Sequence, residues 1–467
     1  MTLSDGAQAN LAPPKQTSQE STRRYRGIAA AALSGLFGKG TSLLVGAVTV
    51  PLTVRYLGSE GYGLWITISS AIAMFFVLDI GIASTLTNLI SGAYAKDNKQ
   101  QAAAYFVTAF WLVMGIAVLL GLAGLVLWPH IHWASLFHVQ DPALARETSR
   151  AVAATFIVFL CALPSGLASK VLGGYQQLHL ANLFTAGGSL ASLLGVIVVI
   201  HLHGSLAMLV MVYAGSSALA NAICLVWVCF LQKPWLKPWP SRFKNHLIGE
   251  IFHSGGQFFL IQIAGLVVFN SDNLVISHYL SPAQVTPYSV AWRVVSYVTT
   301  LQVLAFSALW PAYSEAYAKG DLAWIRSAYA RNRWVTLAAL AFACGVLLSA
   351  GQRIIFLWAG PAAVPSWPVL LLMSIWMVIL AITTNQSCLM GATARVKKQA
   401  VFSLVSAGAN LALSILWVRT LGTAGVLLGT IVSYLLFIVI PATLEVRSIL
   451  RGRDAPGEPT PQIQAGG

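Results

Sequence analysis

The chain has 467 residues, of which 57% are hydrophobic and only 9% charged, with a mean hydropathy of +0.73. Soluble domains carry roughly 25% charged residues, so the composition excludes a water-soluble globular protein and marks an integral membrane chain. The formal net charge of +14 does not point to nucleic acid, because the Lys and Arg residues sit in short connectors between apolar runs.

Residues 1–26 are a polar tail that ends on Arg23, Arg24 and Arg26, which resemble the positive flank of a signal peptide. Twelve apolar runs follow, at about 27–50, 62–87, 102–127, 149–170, 180–200, 205–231, 251–271, 286–310, 333–357, 367–389, 398–418 and 424–446. Each is long enough to cross about 30 Å of hydrocarbon as a helix. Residues 232–250 form a linker with Lys233, Pro234, Trp235, Lys237, Pro238, Trp239 and Pro240, where prolines stop helices and tryptophans favour the headgroup level. Residues 448–467 are a second polar tail. The expected domains are therefore a disordered cytoplasmic N-terminus (1–26), a six-helix bundle (27–231), a cytoplasmic linker (232–250), a second six-helix bundle (251–447) and a disordered cytoplasmic tail (448–467). Counted on alternate connectors, Lys and Arg number 21 on one side and five on the other, which sets both termini in the cytoplasm.

One stretch occurs twice. Ser91-Gly92-Ala93-Tyr94-Ala95-Lys96 returns as Ser314-Glu315-Ala316-Tyr317-Ala318-Lys319, and Arg55-Tyr56-Leu57-Gly58 returns as His278-Tyr279-Leu280-Ser281 at the same spacing. Because the first span has a counterpart in the second half, it is expected to be retained and not cleaved. Six spans return the chain to its starting side, so the halves form a parallel repeat about an axis along the membrane normal. The predicted fold class is an all-α integral membrane protein of 12 transmembrane helices in two six-helix bundles. The five cysteines lie in apolar runs without metal-ligand spacing, and no Walker motif is present. His130, His132 and His138 lie in an outward connector and lack a second ligand set.

The runs Leu57-Gly58-Ser59-Glu60-Gly61-Tyr62-Gly63-Leu64-Trp65 and Leu78-Asp79-Ile80-Gly81-Ile82 resemble the opening of polysaccharide-exporting flippases. These belong to the multidrug/oligosaccharidyl-lipid/polysaccharide exporter superfamily. Leu172-Gly173-Gly174 and Met390-Gly391-Ala392 are similar to the region before that superfamily's fifth span in each half. The resemblance covers the span region without the tails. It implies a multi-pass protein of the bacterial inner membrane that moves a polyprenyl-diphosphate-linked glycan outward for O-antigen, lipopolysaccharide or exopolysaccharide assembly. The implied partners are that glycan, membrane lipids and other polysaccharide-assembly proteins; nucleic acid and catalytic chemistry are not implied. No cofactor is expected, and the coupling ion is left open between H+ and Na+.

A diphosphate cargo calls for cations inside the bilayer, where ionisable side chains are costly and therefore candidates for function. Lys39 lies about twelve residues into the first span, roughly 18 Å deep. It either meets the diphosphate or pairs with Asp79. Arg293, in the eighth span, either grips phosphate with its guanidinium fork or snorkels to the outer interface. Arg55 is a third candidate cation, or an interfacial anchor. Gln257 and Gln262 can meet sugar hydroxyls, and Gln262 is the repeat partner of Lys39. Asp79 and Asp272 are the coupling candidates; Asp272, at the end of the seventh span, can equally cap that helix. A multidrug or cation antiporter of the same superfamily is the alternative function and calls for acidic cavity residues. A polymerase or ligase calls for a large outward loop, and the longest outward connector is only 128–148.

Overall fold

The computed structural model describes residues 18–75, 81–139, 141–306, 309–393 and 395–451, and every regular element among them is helical. α1 (Ser18–Met74) is two rods joined at Gly58, whose φ of 71° and ψ of −176° break the helix at a conformation that favours glycine. After Gly81, also left-handed at φ 70°, the short α2 (Ile82–Ala95) completes this part of the chain. The expected single run 62–87 is therefore interrupted, and Asp79 lies outside the described residues.

α3 (Lys99–Leu127) leads through the short α4 (Trp133–Leu136) to α5 (Pro142–Ser165), α6 (Leu167–Gly174), α7 (Leu178–His201) and α8 (Leu206–Val226). Beyond the linker come α9 (His246–Tyr279), α10 (Pro282–Phe306), α11 (Leu309–Ala318) and α12 (Leu322–Ala359). α13 (Trp367–Ala392), α14 (Val396–Tyr434) and α15 (Ile440–Arg451) complete the chain. α14 repeats the device of α1, with a left-handed break at Gly422 (φ 61°). Eight helical stretches among the described residues are long and apolar enough to cross a membrane. The protein is a multi-pass membrane protein.

The repeat is visible in the backbone. α2 ends at Ala95, Asp97 turns left-handed (φ 48°), and Asn98 caps α3 by accepting from the Gln101 N–H at 2.9 Å. At the second copy α11 ends at Ala318, Gly320 turns left-handed (φ 73°), and Asp321 caps α12 by accepting from the Trp324 N–H at 3.0 Å. The sequence repeat is thus a repeated helix-turn-helix corner.

α1 packs on α7 and also reaches across to α9 and α10, while α5 packs on α8, and α14 packs on α9 and α13. One end of the bundle carries the linker, whose Trp239 and Arg242 region folds against α3: the Lys244 N–H donates to Thr108 Oγ1 at 3.2 Å, and the Trp111 indole donates to the Pro238 carbonyl at 3.2 Å. We refer to this end as the linker face. The Gly58 corner marks the far face.

At the far face a seam joins elements before and after the linker. The Thr286 hydroxyl donates to the Ser59 carbonyl, Arg55 donates to the Leu357 and Trp358 carbonyls at 3.1 and 3.3 Å, and the Trp358 indole donates to the Ala47 carbonyl at 2.7 Å. Gly63 packs directly on the backbone of Pro282 at the start of α10. The seam ties α1 to α10 and α12 at this end.

Candidate functional site

Beneath the seam lies a cavity of about 650 Å³ built from α1, α7, α8 and α10. Lys39 and Arg293 both line it, one supplied by α1 and the other by α10. Among the described residues neither forms an ion pair with a carboxylate, and no Asp or Glu lines the cavity. Arg293 lies eleven residues beyond the start of α10, about 16 Å from that helix end. α10 begins before the apolar run does, so Arg293 is deeper than the hydropathy boundary implied, and it faces the cavity.

The neutral polar groups around these cations are organised by helix geometry. On α10, Arg293, Ser296, Tyr297 and Thr300 follow at spacings of three and four, one stripe on one face. The Ser296 hydroxyl donates to the Arg293 carbonyl at 2.7 Å and the Thr300 hydroxyl to the Ser296 carbonyl at 2.6 Å. Their protons are committed to the helix, so their oxygen lone pairs remain to accept from a ligand. Tyr62, Tyr213 and Tyr297 surround Arg293 electrostatically, and the buried Tyr297 hydroxyl has no hydrogen-bond partner among the described residues. Across the cavity Ser42 and Ser189 share a hydrogen bond of 3.0 Å between α1 and α7. Chemically this is a cationic, hydroxyl-rich chamber suited to an anionic group attached to a polar head.

The other sequence-derived candidates lie elsewhere. Arg55 is engaged with the two carbonyls of the far-face seam, away from the cavity lining. Gln262 is half-buried on α9 and is engaged in a contact of its own, and it does not line the cavity. The Gln257 side chain and Asp79 lie outside the described residues. The tyrosines around Arg293 and the hydroxyl stripe were not among the sequence candidates. The polar spacing of 293, 296, 297 and 300 in an otherwise apolar run was the available signal.

Asp272 occupies a second, separate site, and its helix-cap reading is corrected. α9 continues to Tyr279, so Asp272 is inside the helix, where its side chain has no orphan N–H to cap. It is 5% exposed. Its Oδ2 accepts from the Tyr288 hydroxyl at 2.6 Å and lies 3.2 Å from the Thr430 hydroxyl. Asn410 donates to Thr430 Oγ1 at 2.7 Å, and the Asn410 Oδ1 lies 3.5 Å from the Ser271 hydroxyl. Oδ1 of Asp272 and Oδ1 of its neighbour Asn273 have no hydrogen-bond partner among the described residues. A buried carboxylate ringed by neutral oxygens, with no cationic side chain among the described residues paired to it, can take up a proton or a small cation.

Comparison with known proteins places these features in a family. The family model described as "Polysaccharide biosynthesis protein" matches residues 27–317, more than half of the chain. The chain belongs to this polysaccharide biosynthesis protein family. Among individual relatives, a "Putative O-antigen export protein" of Yersinia pseudotuberculosis is 22% identical over 292 residues, 60% of this chain and 63% of the relative. A "Putative O-antigen transporter" of Salmonella typhimurium is 24% identical over 272 residues, 58% of this chain and 61% of the relative. The matched region thus spans less than two thirds of the length of each of these relatives. In three dimensions the fold is that of a multidrug resistance MATE family transporter of the MOP superfamily, solved in its inward-facing conformation. The TM-score is 0.69 at 15% identity, covering 88% of this chain and 100% of that one.

Proposed function

We propose that this family member is a flippase that carries a polyprenyl-diphosphate-linked oligosaccharide across the bacterial cytoplasmic membrane for surface polysaccharide assembly. The observation that carries the reading is the joint lining of one polar cavity by Lys39 and Arg293, with no carboxylate among the described residues of the lining. A diphosphate needs opposing cations in a chamber sheltered from hydrocarbon, and the glycan needs the hydroxyl stripe of α10. The names of the relatives support a glycan cargo.

In this reading twelve helices form two six-helix bundles, residues 27–231 and 251–447, with both termini and the linker face in the cytoplasm. The bundles rock about the cavity, which loads from the linker face while the far-face seam is shut and releases when the seam parts. Asp272 is the coupling group: taking up and losing a proton or small cation changes the charge of the α9–α10–α14 cluster and biases the two states.

The test is export of the lipid-linked glycan by Lys39→Met and Arg293→Met variants in a strain lacking the protein, with membrane insertion checked by immunoblot. Each variant is expected to lose export by about tenfold or more, since a charge-assisted hydrogen bond contributes about 1.5–3 kcal/mol. Full complementation by both would overturn the cationic-site reading. A cation antiporter would instead require acidic lining, and drug resistance conferred on an exporter-deficient host would reveal it.

A further inference from the structure

On the linker face, away from the cavity, a pocket of about 180 Å³ is lined by Tyr94, Asp97, Lys99, Tyr175, Lys233 and Trp235, among others. It lies where the helix-turn-helix corner between α2 and α3 meets the end of α6 and the first residues of the linker. Lys233 is the unusual member. It is 7% exposed, yet its ammonium forms no hydrogen bond or ion pair among the described residues. Its neighbours are ring faces, with the Tyr175 centroid at 4.2 Å and the Trp235 centroid at 5.8 Å. A second cation shares the wall, with the Lys99 ammonium 5.2 Å from the same Trp235 ring.

The rings are held in place independently of the lysines. The Trp235 indole donates to the Tyr175 hydroxyl at 3.2 Å, and Arg242 donates to the Trp235 carbonyl. The box is thus preformed. A ring quadrupole satisfies one side of an ammonium, but three N–H groups remain, and no protein group among the described residues accepts from them where they line the pocket. Burial accordingly pushes the Lys233 pKa below the usual lysine value. Asp97, the carboxylate of the lining, is exposed in its left-handed turn and does not pair with Lys233. The N-terminus of the 29-residue α3 opens at the same place and adds the positive end of its dipole.

We propose that this pocket is a phosphate-binding site, filled by a group placed between the ammoniums of Lys233 and Lys99. The phosphate can come from a lipid headgroup in the adjoining leaflet or from free phosphate in solution, and the site is independent of the transport reading. Bound phosphate would accept from both ammoniums, and Tyr175 and Trp235 would hold the Lys233 stem from behind.

The full chain, purified in a phosphate-free maltoside detergent, is titrated with inorganic phosphate against chloride at matched ionic strength, and melting is followed. A parallel set of micelles contains phosphatidic acid. Phosphate or phosphatidic acid is expected to raise the melting temperature of the wild-type chain. Lys233→Met is expected to weaken the response about tenfold or more, and Lys99→Gln to weaken it partially. A response to phosphatidic acid alone assigns the lipid source; a response to inorganic phosphate as well assigns the free anion. Lys99 is exposed, so Lys99→Gln carries the test if Lys233→Met does not fold. The proposal is overturned if the wild type responds to neither ligand, or if the variants respond as the wild type does.

Discussion

Replacing Gly63 by alanine puts a methyl group into the far-face seam at a point that cannot yield by a side-chain rotation. An added Cβ would stand 1.7 Å from the Pro282 carbonyl oxygen and 2.6 Å from its carbon. Ordinary contact is about 3.5 Å, so the second rod of α1 and the start of α10 must separate by roughly 1.8 Å. Overpacking of this kind costs about 1–3 kcal/mol, and the cost falls only on the state in which the seam is shut. The closed-to-open ratio at the far face should therefore drop by about 5- to 150-fold. The Thr286 hydroxyl already meets the Ser59 carbonyl across this seam, so a Ser59→Cys/Thr286→Cys pair in a chain without its native cysteines reports closure through a short bismaleimide cross-linker, which tolerates Cβ vectors that do not converge. Gly63→Ala is expected to slow that cross-link and reduce export. Gly187→Ala, whose new methyl meets nothing within 4 Å, should do neither. Unchanged cross-linking in a normally inserted Gly63→Ala chain would refute the reasoning, because the clash would then have been absorbed without opening the seam.

Three further outcomes follow from the geometry. Asp272→Asn keeps the hydrogen-bonding volume but fixes the charge at zero, so export measured against imposed proton and sodium gradients should lose its gradient dependence; retained dependence would remove Asp272 from coupling. Gly46→Ala would set a methyl 2.9 Å from the Tyr297 hydroxyl and should impair export more than insertion, while Gly46→Ala combined with Tyr297→Phe should recover part of the loss. Asn98→Ala and Asp321→Ala each remove one helix cap and should each cost about 1 kcal/mol, seen as equal falls in melting temperature if the two corners are equivalent.

How far the sequence led depends on the range of the interactions involved. The corners at Asp97 and Gly320 were legible because turn and cap are local: a left-handed residue followed by Asn or Asp sets the next helix start within four positions. Lys39 and Arg293 were legible because a cation in an apolar run is conspicuous. The surroundings of Asp272 were not, because Thr430 and Asn410 come from α14, more than a hundred residues away. The polar triplet Ser271-Asp272-Asn273 also lowers the local hydropathy and so mimics a helix end. The helix persists to Tyr279 because those side chains are buried and partly satisfied by other helices. The Gly58 break was legible too: it falls in the connector expected between the runs 27–50 and 62–87, where Gly58, Ser59, Glu60 and Gly61 interrupt the apolar pattern.

The same two helices meet at the seam and supply the cations. α1 carries Lys39 and, beyond its Gly58 break, Gly63; α10 carries Pro282 and Arg293. A motion that parts Gly63 from Pro282 therefore moves Arg293 with α10 and reaches Lys39, on the first rod of α1, through the Gly58 joint. In the flippase reading, a diphosphate bridging Lys39 and Arg293 favours the closed seam, because closure keeps both cations within reach of one anion. Opening widens the pair and weakens the grip where the cargo must leave. The arrangement predicts an asymmetry between the two charge deletions and the seam variant. Lys39→Met and Arg293→Met should remove the effect of added lipid-linked substrate on the Ser59→Cys/Thr286→Cys cross-link, whereas Gly63→Ala should lower the cross-link with and without substrate. If substrate still promotes cross-linking equally in both charge variants, cargo and seam are not linked through these cations.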